Sequence, residues 1–393
     1  MWRKVAAFMR FDGFGPGAKT GFPPKPNPLR RRPAPAATPL VETPFAPNPG
    51  NLRMFCALPL GLKPGAPLVV SLHGCGQSAA GYDAGAGWSQ LATRLGFAVL
   101  APEQKAVNNP GTCFNWFNPE DASRGQGEAA SIAAMIRQML TDHSLDPKRI
   151  FITGLSAGGA MTAAMLASYP ELFAGGAIVA GLPYGAAANI RDALDTMRSA
   201  PLKTPRAWGD AVRGASDFTG PWPRVSIWHG DLDTTVNVNN AQASAAQWAD
   251  VHGLALKDAV QETVDGAVRL RWSKSGKPVL EVHTIPGLGH GTPIDSSDLG
   301  HPAPFILEAG ISSTAAIADF WGLDAAAASN LKPQPKPIVT PPPAKHSALP
   351  TVETVLPTPQ PQARTKHQAA PKPRDIEGII LRALKAAGLL KKR

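Results

Sequence analysis

Arg149-Ile150-Phe151-Ile152-Thr153-Gly154-Leu155-Ser156-Ala157-Gly158-Gly159-Ala160-Met161 is the stretch that decides the fold of this 393-residue chain. Its apolar, β-rich opening predicts a buried strand over 149–153, and the alanine- and methionine-rich residues 160–168 predict a helix. Between them, Gly154-Leu155-Ser156-Ala157-Gly158 has the Gly-x-Ser-x-Gly form. A sharp strand-to-helix turn of this kind lifts the serine oxygen clear of the sheet, and side chains at the glycine positions would collide with the adjoining strand and helix. The helix N-terminus behind the serine favours negative charge nearby. Such a pentapeptide also arises by chance, so the rest of the chain has to agree with it.

A nucleophile elbow belongs to the α/β-hydrolase fold, which needs an acid and then a histidine downstream of the serine, each on a loop after a strand. The run Arg224-Val225-Ser226-Ile227-Trp228-His229 reads as a buried strand and leads into Gly230-Asp231-Leu232-Asp233, so one of two aspartates orients the base. The strand pattern over 279–285 ends in Pro286-Gly287-Leu288-Gly289-His290-Gly291, a glycine-rich loop that presents a histidine. His290 is therefore the expected general base. His229 and His283 fall within strand patterns and read as packed or edge residues, and His73 precedes the serine, which is the wrong order. Upstream, residues 67–72 predict a short strand that runs into His73-Gly74-Cys75-Gly76-Gln77. In this fold the loop after the third strand and the residue after the nucleophile each supply a backbone N–H to an oxyanion hole, which nominates Cys75 and Ala157.

About 270 residues alternate β and α patterns, as a doubly wound, mostly parallel sheet with a single core requires. The flanks differ. Residues 1–50 carry a net charge of +6 and residues 331–393 of +9, which leaves −5 of the chain's +10 for residues 51–330. The flanks also hold 23 of the 41 prolines, so they are expected to be extended and disordered rather than to add a core. The expected organisation is a basic proline-rich segment over 1–50, a catalytic domain over 51–330, a proline-rich linker over 331–374 and a basic amphipathic helix over 375–393. Because the basicity lies in the tails, the pI near 9.6 does not argue for specific nucleic-acid binding by the domain. Residues 184–224 lack a clean period and are expected to form a lid.

These residues resemble an esterase family that includes polyhydroxybutyrate depolymerases and related feruloyl and acetylxylan esterases. The resemblance spans about residues 51 to 323. It rests on Leu72-His73-Gly74-Cys75-Gly76-Gln77, Gly81-Tyr82-Asp83, Gly87-Trp88, Ala101-Pro102-Glu103-Gln104, Cys113-Phe114-Asn115-Trp116-Phe117, the serine turn through Met161, Tyr169-Pro170, Ala180-Gly181-Leu182-Pro183-Tyr184-Gly185 and Trp228-His229-Gly230. The family pattern His-Gly-x-x-Asp-x-x-Val places the acid three residues before Val236, which selects Asp233 over Asp231. The resemblance also supports a Cys75–Cys113 disulfide, and Cys56, on the strand pattern over 53–58, reads as a small core residue. It implies a serine esterase that hydrolyses short-chain polyhydroxyalkanoate, with feruloyl or acetylxylan esters of plant polysaccharide as the alternative substrates.

Trp88, Phe114, Trp116 and Phe117 are the candidate substrate-binding residues, although aromatic side chains are as readily core. No cofactor or metal is expected, since no GxxxxGK[ST], HExxH or paired CxxC pattern occurs. A non-catalytic surface-binding protein is the remote alternative, against which the complete Ser156, Asp233 and His290 set argues. The bridged cysteines point to an extracellular or periplasmic location, whereas the N-terminus shows no clear signal peptide and leaves a cytoplasmic one open. The segment 375–393 places Ile376, Ile379 or Ile380, Ala383, Ala387 and Leu390 at helical spacing with Lys391, Lys392 and Arg393 at its end, a pattern suited to a granule, a membrane or a partner surface.

Overall fold

A computed structural model of the protein describes residues 39–323. The two long flanks beyond them, with the linker and the amphipathic segment expected there, lie outside the described residues.

Ten strands form one sheet in the order β1-β2-β4-β3-β5-β6-β7-β10-β9-β8. They are β1 (Val41–Glu42), β2 (Arg53–Ala57), β3 (Leu68–Leu72), β4 (Ala98–Glu103), β5 (Ile150–Leu155), β6 (Gly175–Val179), β7 (Arg224–Gly230), β8 (Val260–Val264), β9 (Ala267–Lys274) and β10 (Lys277–Ile285). From β4 through β3, β5, β6 and β7 to β10 every pairing is parallel. The flanking strands β1, β2, β9 and β8 join antiparallel. This is the α/β-hydrolase fold.

Burial explains why the central strands read as unbroken apolar runs. Successive side chains of a strand face opposite sides, and here both sides are covered. Leu68, Val70, Leu100, Ile150 and Ile152 enter one core, beneath the helices Gly127–His143, Ala157–Ser168 and Asn239–His252. Val69, Val99, Phe151 and Leu155 enter the other, beneath the helices Ala79–Ala86, Trp88–Leu95 and Ser313–Phe320. The expected doubly wound arrangement follows from this period of two carrying apolar residues on both phases.

Residues 39–50, read from composition as part of the proline-rich flank, pack on the domain. Val41 and Glu42 pair with Cys56 and Phe55, Glu42 accepts from Arg53, and Gly50 N–H donates to Ser131 Oγ at 2.8 Å. Proline richness removes backbone donors but leaves the carbonyls, and the Gln138 side-chain amide donates to Pro44 O at 3.0 Å. Within the segment expected as a lid, two helices form, Ile190–Arg198 and Pro205–Arg213. The second packs against the helix Asn239–His252, so only the first faces the cavity described below.

Candidate active site

Three strand ends build the site. β5 delivers Ser156 in a left-handed backbone conformation, φ 57° and ψ −115°, and the helix Ala157–Ser168 starts at the next residue. A non-glycine residue holds such a conformation only where its surroundings over-determine it. Here Ser156 N–H donates to Val179 O at 2.9 Å and Ser156 O accepts from Ala160 N–H at 2.9 Å, so both sides of the residue are tied. The glycines are required by contact: a Cβ on Gly154 would lie 2.4 Å from Gly158 O, and one on Gly158 would lie 2.4 Å from Leu72 O.

β10 ends in the loop that carries His290, and β7 ends in the turn that carries Asp233. His290 Nδ1 lies 2.7 Å from Asp233 Oδ2, and His290 Nε2 lies 2.9 Å from Ser156 Oγ. A carboxylate can only accept, so the ring proton sits on Nδ1 and leaves Nε2 free to accept from the serine hydroxyl. Oδ1 of Asp233 accepts the backbone N–H groups of Thr235 at 2.9 Å and Val236 at 2.8 Å. Burial works against the charge on Asp233, yet hydrogen bonds from His229 and His290 together outweigh it and hold the carboxyl well below the usual carboxylate range. Asp231 does not bond within its own turn; its Oδ1 accepts Gly287 N–H at 2.7 Å and so ties the acid turn to the histidine loop.

The oxyanion candidates lie beside the serine, since Cys75, Ser156 and Ala157 line the same cavity. In the 74–76 turn the neighbouring donors are engaged: Gly74 N–H donates to Gln77 Oε1 at 2.9 Å and Gly76 N–H to Gly111 O at 2.8 Å. His73 is fully buried and accepts Gln104 N–H at Nε2, which puts its proton on Nδ1, 2.8 Å from Gly74 O. A trans peptide holds its C=O and N–H on opposite sides. With Gly74 O turned to His73, the N–H of Cys75 is turned away from it.

Cys75 and Cys113 are joined by a disulfide, which ties the 74–76 turn to the loop that bears Trp116 and Phe117. The base of that loop rests on buried Glu128. Its Oε2 accepts Asn115 N–H and its Oε1 accepts from the Asn115 and Gln104 side-chain amides. Burial first, and the charge of Asp121 second, push the Glu128 carboxyl up to about 8 despite these donors.

The cavity at Ser156 has a volume of about 190 Å³. Of the four aromatic candidates, Trp116 and Phe117 line it. Trp88 and Phe114 do not. Trp88 is 1% exposed and stacks on Trp321 in the core, and Phe114 is fully buried beside His73, so both rings are taken up by packing beneath the sheet and its turns. The opposite wall comes from the helix Ile190–Arg198 through Ile190, Ala193, Leu194 and Met197. Their i, i+3, i+4, i+7 spacing is a sequence signal for an apolar helix face that sequence reasoning passed over in favour of an irregular lid. Among the described residues, no cluster of three or more His, Cys, Asp or Glu side chains is grouped to hold a metal ion.

The sequence profile of the family described as "Esterase PHB depolymerase" matches residues 56–270. The chain is 45% identical over 285 residues to poly(3-hydroxyalkanoate) depolymerase C of Paucimonas lemoignei, covering 71% of this chain and 69% of that protein. It is 34% identical over 263 residues to an acetylxylan esterase of Coprinopsis cinerea, covering 65% and 69%. It is 32% identical over 267 residues to feruloyl esterase B of Thermothelomyces thermophilus, covering 65% and 89%. Among solved structures, an acetyl xylan esterase from Aspergillus awamori superposes with a TM-score of 0.63 at 24% identity, over 72% of this chain and 99% of that one, a likeness of fold.

Proposed function

Because the chain belongs to the PHB depolymerase esterase family and is a carboxylic ester hydrolase, we propose that it cleaves ester bonds of short-chain polyhydroxyalkanoate, the 3-hydroxybutyrate polymer or its oligomers, through an acyl-enzyme on Ser156. The observation that carries this reading is the unbroken row Ser156 Oγ, His290 and Asp233, with separations of 2.9 and 2.7 Å. As Ser156 Oγ attacks the ester carbonyl, His290 Nε2 takes its proton, and Asp233 stabilises the resulting imidazolium. The former carbonyl oxygen gains a full negative charge, and the N–H groups of Cys75 and Ala157 receive it; losing one such donor costs roughly 3–4 kcal/mol of barrier. His290 then gives the proton to the departing alcohol, and water repeats the cycle on the acyl-enzyme to release the acid.

The polyester reading draws on the higher identity to the depolymerase and on the aliphatic wall of Ile190, Leu194 and Met197. Trp116 and Phe117 in the same cavity support the second reading, a feruloyl or acetyl ester of plant polysaccharide, because an aromatic acyl group would stack there. The test is the ratio of kcat/KM for a soluble 3-hydroxybutyrate trimer to that for methyl ferulate, each with a Ser156→Ala blank. A ratio far above one is expected; a ratio far below one moves the substrate to plant-wall esters. The Cys75–Cys113 disulfide supports an extracellular or periplasmic setting, where such bridges persist. The amphipathic pattern over 375–393 supports a contact with a polymer granule or membrane surface.

A further inference from the structure

Two histidines reach the carboxylate of Asp233. His290 is the base; the other, His229, is 1% exposed at the end of β7 and plays no part in the proton transfers above. Its Nε2 lies 2.8 Å from Val236 O and 3.3 Å from Asp233 Oδ2. Both neighbours are acceptors, so Nε2 carries a proton that they share. Its Nδ1 is buried and has no hydrogen-bond partner. The surroundings therefore satisfy a ring proton on Nε2 and offer no acceptor to one on Nδ1. Oδ2 of Asp233 thus lies 2.7 Å from His290 Nδ1 and 3.3 Å from His229 Nε2, while Oδ1 is filled by two backbone amides.

We infer that His229 is a positioning residue that fixes the Asp233 carboxylate against the 231–236 turn and, by sharing Oδ2, limits how strongly that carboxylate holds the His290 proton. The inference rests on the Ser156–His290–Asp233 reading. The groups that face this pair are few in kind. Ser156 approaches His290 from the elbow, Asp231 on the same turn is bonded to Gly287 N–H, and from β10 Thr284 pairs with His229 while His283 stacks on Trp228. Removing the His229 donor leaves Asp233 more basic toward His290, which favours the imidazolium and raises the pH at which the free base becomes available.

Two substitutions separate the donor from the ring. Gln at 229 reaches with an Nε2 donor to the place of the imidazole Nε2, whereas Phe keeps the ring shape and donates nothing. In the full chain, His229→Phe is expected to move the acid limb of kcat/KM on a soluble ester to higher pH by about half a unit to one unit. It is also expected to lower kcat about tenfold with KM within about twofold of the unmodified protein. His229→Gln should restore most of both. A His229→Phe profile that superimposes on the unmodified one, or a His229→Gln shift as large as that of His229→Phe, overturns the inference. Histidine 15N spectra of the unmodified protein decide the matter if His229→Phe does not fold: the His229 ring should carry a proton on Nε2, and a ring protonated at Nδ1 with Nε2 bare overturns the inference. Turnover by Ser156→Ala would instead overturn the triad reading itself.

Discussion

Replacing Ser156 with alanine should lower kcat/KM on a soluble 3-hydroxybutyrate ester by at least about 10⁴-fold, with the melting temperature nearly unchanged. The loss is large because no acyl-enzyme can form, and small residual turnover over water is all that the oxyanion donors and the cavity can sustain. The fold should survive because the unusual backbone at 156 is held by main-chain bonds to Val179 and Ala160, which alanine also makes. Steady-state kinetics and thermal melting on the same preparation check both halves. Turnover within tenfold of the unmodified protein contradicts the assignment of Ser156.

Gly158→Ala should do the reverse and act on the fold. A Cβ at 158 would lie 2.4 Å from Leu72 O, 2.5 Å from His73 O and 2.8 Å from Leu72 C. All three are backbone atoms of β3 and the residue that follows it, so no side chain can swing aside. The helix Ala157–Ser168 has to move off the sheet, and all twelve of its residues are buried. A cost of more than about 3 kcal/mol follows, in the range of severe overpacking. Gly289→Ala is the matched control, because nothing lies within 4 Å of a Cβ there. It should change stability by less than about 1 kcal/mol. Urea unfolding of both variants compares them, and equal midpoints would show that the elbow tolerates a side chain.

The legible parts of this chain are those where one residue type has few structural uses. Gly154, Ser156 and Gly158 could be read because contact at the elbow admits almost nothing else. The central strands β3, β5 and β7 could be read because burial on both faces leaves continuous apolar runs. Strands β4 and β6 were not read, and neither were the antiparallel β8 and β9, whose mixed Arg271, Glu262 and Val260 pattern resembles a loop. Their turn was readable all the same: Asp265-Gly266 has positive φ at both residues, 51° and 85°, as a two-residue hairpin requires.

Aromatic residues were legible only in part. Trp88 and Trp116 have the same side chain, and which one faces core and which faces cavity depends on long-range packing against Trp321 and on the disulfide-tied loop. His229 was read as a packed residue, and it is packed. Its second property, contact with Asp233 four residues on, arises from how the turn folds back to bring Val236 O and Asp233 Oδ2 to the ring nitrogen Nε2. No spacing rule for strands would place those groups together.

The most direct test of the central claim is mapping the adduct formed with a fluorophosphonate. Mass spectrometry of the digested protein should find a single phosphonylated residue, Ser156. His290→Ala should slow its formation by at least about 10³-fold, because the serine proton then has no acceptor. An adduct on another residue, or a labelling rate that does not depend on His290, would contradict the account.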